Sequence, residues 1–232
     1  MIKIRKSEER GHFNHGWLDT YHTFSFAEYF DRDHMAFRTL RVINEDRVGA
    51  GMGFGTHSHK DMEILTYVLS GAVAHKDSMG HEETLGAGEI QRMTAGSGVT
   101  HSEFNPSNKE ELHLLQIWIL PEAKDLKPGY EQKKIAVAQR KNEFHLIAAK
   151  NPPPQAVTIH QDVNLYAGIF EKGKTSLARI DPGRAAWIHI AKGSAEVAGK
   201  ILKAGDALSA ENEPSLTFKA LENSEILFFD LQ

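Results

Sequence analysis

The sequence predicts an all-β protein made of two domains, and three observations carry that prediction. Its apolar residues fall into short runs rich in β-branched and aromatic side chains, cut at Gly, Asn or Pro, which is the punctuation of strands. The two halves of the 232-residue chain share a degenerate repeat of strand-to-glycine turns. Two pairs of residues of the metal-ligating type, His57-Ser-His59 and His101-Ser-Glu103, are spaced at i and i+2. That is the period at which a strand sends side chains to one face.

Composition narrows the chemistry. Hydrophobic residues make up 41% and charged residues 25%, enough to bury a core in one large β domain or two smaller ones. The net charge of −4, with no run of Lys or Arg longer than a pair, predicts no direct binding of nucleic acid and no anionic membrane surface as partner. There are no cysteines, so a metal must be held by His, carboxylate or backbone oxygen. The first residues lack the apolar core of a signal peptide and no run approaches a membrane span, so the expectation is a soluble, cytoplasmic protein. Ten of the 13 histidines precede residue 114, which places candidate ligands in the first half. Only the alternate spacing singles out three of them.

In chain order, Thr23-Phe-Ser-Phe26 is expected to be a short strand, and Leu40-Arg-Val-Ile43 another, stopped by Asn44-Glu-Asp46. Phe24, Phe26, Tyr29 and Phe30 are expected in the core, with the alternative that one or two line an apolar pocket. Gly49, Gly51, Gly53 and Gly55 precede the first histidine pair at every second position. Missing side chains there predict a tight bend or the close approach of another backbone or a ligand. Residues 64–69 form a buried strand turned by Ser70-Gly71, and residues 84–88 a turn that opens a strand over 89–93. Residues 111–120 are expected to be the longest strand, ended by Pro121. Residues 121–134 have linker composition and set the boundary between domains 1–122 and 123–232. Pro152-Pro-Pro154 marks an exposed, extended loop.

The repeat aligns Tyr67-Val-Leu-Ser-Gly71 with His189-Ile-Ala-Lys-Gly193, and Leu85-Gly-Ala-Gly88 with Leu202-Lys-Ala-Gly205. Carried through that alignment, His57 and His59 fall on Arg179 and Asp181, and His101 and Glu103 on Phe218 and Ala220. No second His pair appears. The later domain is expected to repeat the fold without the metal.

Gly51-x5-His57-x-His59-x3-Glu63, with Gly71 beyond, resembles the first cupin motif, and Gly88 through His101-x3-Asn105 resembles the second. Residues 40–47, 62–69 and 93–103 are similar to the pirin branch of the bicupins. The resemblance covers roughly residues 20–120. Two features depart from the general cupin pattern: Thr94-Ala-Gly96 stands where Pro-x-Gly is usual, and Glu63 is followed by seven residues before its Gly. Spacing alone leaves Glu63 and Glu103 both open as the carboxylate ligand. The pirin resemblance implies Glu103, with Glu63 as a partner behind the ligands or an alternative base.

The resemblance implies two packed cupin barrels of the double-stranded β-helix (jelly-roll) kind. It also implies one divalent transition metal per chain, on His57, His59, His101 and Glu103. A structural zinc site is normally closed and favours thiolates. Three imidazoles and a carboxylate suit Fe(II) first, with Mn, Co, Ni, Cu or Zn as alternatives, and leave positions open to a small molecule. The implied activity is a flavonol 2,3-dioxygenase of the quercetin-cleaving type, with dioxygen as co-substrate, carbon monoxide released and Glu103 as base. The alternative from the same resemblance is a metal-dependent regulatory protein that binds a transcriptional or metabolic protein partner.

Overall fold

The computed structural model describes all residues 1–232. Strands take 57% of the chain and helix 3%, so the all-β expectation holds. No helix is long and apolar enough to cross a membrane. The chain divides into two compact units. One comprises Gly11–Lys134 with Val157–Gln161, and the other Met1–Arg10 with Ile135–Ala156 and Asp162–Gln232.

The first unit carries both histidine pairs. Its larger antiparallel sheet runs Gly129–Lys134, Glu89–Thr94, Glu63–Ser70, Leu112–Ile119, Leu40–Val48, Leu18–His22, Gly11–Asn14. Its smaller sheet runs Gly53–His59, Val99–Phe104, Ala72–Asp77, Glu82–Gly86. The pleat of Glu63–Ser70 shows how the interior is layered. Ile64 packs with Met93 and Val99 at one end, and Val68 packs with Val73, Leu85 and Leu114 at the other. Between them, on the same face, Thr66 donates a hydrogen bond to Glu103. The unit is therefore apolar at two levels and polar between them.

The second unit repeats the plan, with Ile2–Arg5, Ala207–Glu211, Ala185–Lys192, Ser224–Leu231, Val163–Phe170 and His145–Ala149 in the larger sheet. Thr175–Arg179, Ser215–Ala220, Ser194–Val197 and Lys200–Lys203 form the smaller one. The aligned glycines share a backbone: Gly71 and Gly193 have φ of +76° and +74°, and Gly88 and Gly205 have +81° and +83°. These left-handed turns are why glycine marks the repeat in sequence. The interior differs: Ala178, Leu216, Phe218, Ala220 and Phe228 belong to one continuous apolar cluster.

Four expectations need correction. Asn44-Glu-Asp46 does not stop a strand, since Leu40–Val48 runs through it and, at nine residues, is longer than Leu112–Ile119 at eight. Polar residues are tolerated there because Glu45 pairs with His113 at 3.0 Å on one face while Asn44 and Asp46 line a cavity on the other. Thr23–Phe26 lies beyond the strand that ends at His22; Phe24 is buried, Phe26 lines the cavity and Phe30 is 74% exposed. The segment of linker composition includes the strand Gly129–Lys134, paired with Glu89–Thr94. Its charges are partnered, with Glu131 bridged to Arg92 at 3.2 Å. Finally, Ile2–Arg5 pairs with Ala207–Ala210, so the first ten residues belong with the later unit.

Of the alternate glycines, Gly53 is the one that another backbone approaches too closely to leave room for a side chain. A Cβ there would lie 2.3 Å from the Glu103 carbonyl oxygen and 2.5 Å from the Phe104 Cα. Gly53→Ala must therefore push apart the two strands that carry the histidine pairs. The expected cost is about 2 kcal/mol in urea unfolding, accompanied by reduced metal content. An unchanged midpoint with full metal content would show that the strands can separate freely.

Candidate metal centre

Val99–Phe104 lies between Gly53–His59 and Ala72–Asp77, and its register does most of the positioning. His101 stands directly opposite His57 on one side and opposite Asp77 on the other, and Glu103 stands opposite His75. A bulge between His101 and Glu103 shifts the pairing with Gly53–His59, so that Glu103 faces Phe54. Such an irregularity re-aims side chains next to a site.

The structure brings His57, His59 and His101 together, with one ring nitrogen from each within 4.8 Å of the others. His59 Nε2 and His101 Nε2 are 3.0 Å apart. At that separation one ion can reach both nitrogens through metal–nitrogen bonds of about 2.1 Å. His57 Nδ1 donates to the Gly55 carbonyl oxygen at 2.8 Å. That bond fixes the tautomer and leaves Nε2 with a free lone pair. His101 Nδ1 is buried without a hydrogen-bond partner.

Glu103 forms a second group with His101 and His75 at the same spacing. It is 3% exposed, with Oε1 accepting from Thr66 at 3.1 Å and Oε2 from Gln116 Nε2 at 2.8 Å. His75 is held from behind by Asp77 at 3.1 Å, and Asp77 in turn contacts His81 at 3.0 Å. Glu63 is not brought to the cluster. It sits on the opposite pleat from Thr66, where it accepts from Thr94 at 3.2 Å and from the His160 amide at 3.3 Å.

Burial disfavours the charged forms of His59, His101 and Glu103. Desolvation first, then repulsion from His57, holds His59 down to about 4. Desolvation, then His57, His59 and His75, holds His101 down to about 3. Burial raises the Glu103 carboxyl to about 7 against the hydrogen bonds from Thr66 and Gln116. Neutral imidazoles are the form that binds a metal.

The cluster opens onto a cavity of about 200 Å³. Phe26, Phe54, Trp118 and Leu18 give it apolar walls, and Asn44, Asp46, Glu103 and Gln116 give it polar ones. The sequence reading missed Asn44, Asp46, His75, Gln116 and Trp118. The available signals were the i, i+2 pair Asn44 and Asp46 inside a β-branched run, and a lone Gln116 within the apolar stretch of residues 112–119.

The chain matches the Pirin family over residues 3–119 and the quercetinase C-terminal cupin domain over residues 146–231. It is 48% identical to the quercetin 2,3-dioxygenase of Escherichia coli (strain K12), covering 100% of this chain and 99% of that one. The chain belongs to the pirin family. The crystal structure of the bacterial pirin YhhW from Escherichia coli in complex with nickel(II) superposes with a TM-score of 0.95 at 47% identity, covering 100% of this chain and 99% of that one. The crystal structure of YhhW from Escherichia coli gives 0.96 at 47% identity, over 100% and 98%. The two units are thus the two cupin barrels of an all-β bicupin. The His and Glu cluster in the first barrel of this pirin has the donors for a single transition metal.

Asp46 gives the pirin cavity a testable electrostatic sign. Burial, opposed by the hydrogen bond from Thr20 and reinforced by Glu103 and Glu45, raises its carboxyl from 3.8 to about 7. A value raised by folding contributes stability below the unfolded value, and that contribution is lost as pH climbs through the folded one. Asp46→Asn should raise the melting temperature of the metal-free protein at about pH 8 by roughly 4–8 °C, on the order of 2 kcal/mol. The difference should close by about pH 4. Equal melting curves at the higher pH would mean that Asp46 ionises without penalty.

Proposed function

We propose that this protein is a metal-dependent dioxygenase that cleaves flavonols of the quercetin type at the 2,3 position and releases carbon monoxide. It is a quercetin 2,3-dioxygenase-like, pirin-type oxidoreductase; the flavonol substrate, the metal and the residue roles are our reading. The observation that carries it is the cluster of three imidazoles, His57, His59 and His101, beside a largely apolar cavity that His57 and His59 line, with the buried Glu103 carboxyl next to them.

In this reading His57, His59 and His101 hold the ion, Fe(II) in the first instance, and Glu103 is the fourth donor. The bound ion supplies Lewis acidity that favours a deprotonated substrate oxygen. Phe26, Phe54 and Trp118 accept the flat ring system and exclude water around it. Glu103 takes the proton of the flavonol 3-hydroxyl. The carboxyl is buried beside the imidazoles and within the cavity wall, which places it to accept that proton. Thr66 and Gln116 orient its two oxygens, and His75 faces it across the strand pair. Dioxygen is incorporated into the opened product, and the carbon that carried the 3-hydroxyl departs as carbon monoxide. The second barrel, apolar where the first is polar, holds no metal in this reading.

Substitution separates the roles. Each of His57→Ala, His59→Ala and His101→Ala should weaken metal binding by about 100-fold or more, and the triple variant should carry no stoichiometric metal. A full equivalent left in the triple variant would place the ion elsewhere in the chain. Glu103→Gln should retain metal at reduced affinity and lose turnover, while Glu63→Gln should change neither. Loss of metal in Glu63→Gln with Glu103→Gln intact would reverse the carboxylate assignment.

The reaction itself is checked by oxygen uptake and carbon monoxide release with a flavonol and with a flavone lacking the 3-hydroxyl. Only the flavonol should be consumed, and His101→Ala should abolish it. Binding without oxygen consumption across several reconstituted metals would favour the regulatory alternative.

A further inference from the structure

The cavity has a wall that the metal chemistry does not use. Asn44 and Asp46 are i and i+2 on Leu40–Val48 and share one inward face. Both are 4% exposed and both line the cavity. Thr20 and Gln116 flank them there, from the strands on either side of Leu40–Val48.

The hydrogen bonding of this wall is incomplete. Asn44 Oδ1 is buried and has no partner. Thr20 donates to Oδ1 of Asp46, which leaves Oδ2 for another donor. On the neighbouring strand Leu112–Ile119, two residues beyond the Gln116 that stands opposite Asn44, the Trp118 indole N–H also lines the cavity, buried and unpartnered. Buried polar groups in native proteins are ordinarily paired, so open acceptors and a donor around one cavity point to a ligand that completes them. Two acceptors side by side call for donor groups on the ligand. The nearby carboxyls of Asp46 and Glu103 disfavour an anionic group at this wall, and the aromatic side chains of Phe26 and Trp118 favour a flat apolar body.

We propose that Asn44 and Asp46 form a hydroxyl-reading wall that selects flat aromatic substrates carrying neutral hydroxyl groups away from the metal-facing oxygen. Asn44 Oδ1 and Asp46 Oδ2 each accept from a ring hydroxyl, and Trp118 Nε1–H donates to an oxygen of the ligand. The wall fixes which end of the molecule points at the imidazoles. This inference rests on the flavonol reading above for its substrate class, and the experiment separates the two.

Binding of quercetin, of 3-hydroxyflavone without its other hydroxyls, and of catechol is measured by calorimetry on metal-free and nickel-loaded protein, for wild type, Asn44→Leu and Asp46→Asn. Both substitutions keep the side chain's size, and melting curves establish that the variants are folded. Wild type should bind quercetin about 10-fold or more tighter than 3-hydroxyflavone, in line with hydrogen-bond discrimination by a buried site. Each variant should lose most of that ratio while its affinity for 3-hydroxyflavone stays within about twofold. Equal affinities in wild type, or variants that weaken both flavonols alike, would overturn the proposal. Catechol binding that depends on Asn44 and Asp46 while neither flavonol binds would support the wall and overturn the flavonol reading. Absence of binding by all three probes would overturn both.

Discussion

The site depends on a buried layer of titratable groups held between two apolar clusters. Ionised side chains are costly in such a place, and the usual response is a shifted pKa that removes the charge. His59 and His101 respond downward, and Glu103 and Asp46 respond upward. The interior can therefore hold two histidines and two carboxyls at rest with little charge to solvate. On the function proposed above, an entering cation meets imidazole lone pairs on His59 and His101, and a substrate hydroxyl meets a buried carboxyl. The same burial that would destabilise a charged cluster prepares this one for its ligand.

Register supplies the geometry. His57 and His101 face each other because Gly53–His59 and Val99–Phe104 pair antiparallel with those two residues directly opposed. Gly53 allows the strands to meet at the other end, against the backbone of Glu103 and Phe104. The bulge between His101 and Glu103 then takes Glu103 out of step with the histidine strand and opposite His75. One strand thus contributes a residue to each of two overlapping groups, with His101 shared by both.

Much of this was legible in the sequence, because the strand period maps directly onto spacing. The pairs His57/His59 and His101/Glu103 were readable from parity, and the turns at Gly71, Gly88, Gly193 and Gly205 from the demand for positive φ. Legibility ended where a residue's environment is made by distant strands. Asn44 and Asp46 carry turn-like chemistry in a local reading, yet Thr20, Gln116 and Trp118, far away in sequence, turn them into a cavity wall. His75 looked like one histidine among ten until pairing set it opposite Glu103. Glu63 shows the converse. Its position in a motif made it a candidate, but parity alone, counted against Thr66, puts it on the other face of the sheet. Residues 121–134 read as linker because Glu131 and Lys133 are charged, and charge in a strand is costly only when unpartnered. Arg92 and the Thr158 amide supply partners for Glu131.

The two barrels show how little backbone change separates an interior with a polar layer from an apolar one. Their glycine turns agree within a few degrees of φ, and each builds a larger and a smaller antiparallel sheet. At the strand that carries His101 and Glu103 in one, the other presents Phe218 and Ala220 within an unbroken apolar cluster. Phe144, partly buried, packs against that cluster, edge-on to Phe170 and Phe218. The interior of the second barrel is filled by this apolar cluster, whereas the polar layer of the first barrel borders a cavity. Fold is therefore a weak guide to activity here, and the side chains that face inward on four strands are the strong one. The constraint runs in both directions. A polar layer without a ligand would leave Asn44 and Trp118 with unmet hydrogen bonds, so the first barrel gains from occupancy what the second gains from packing.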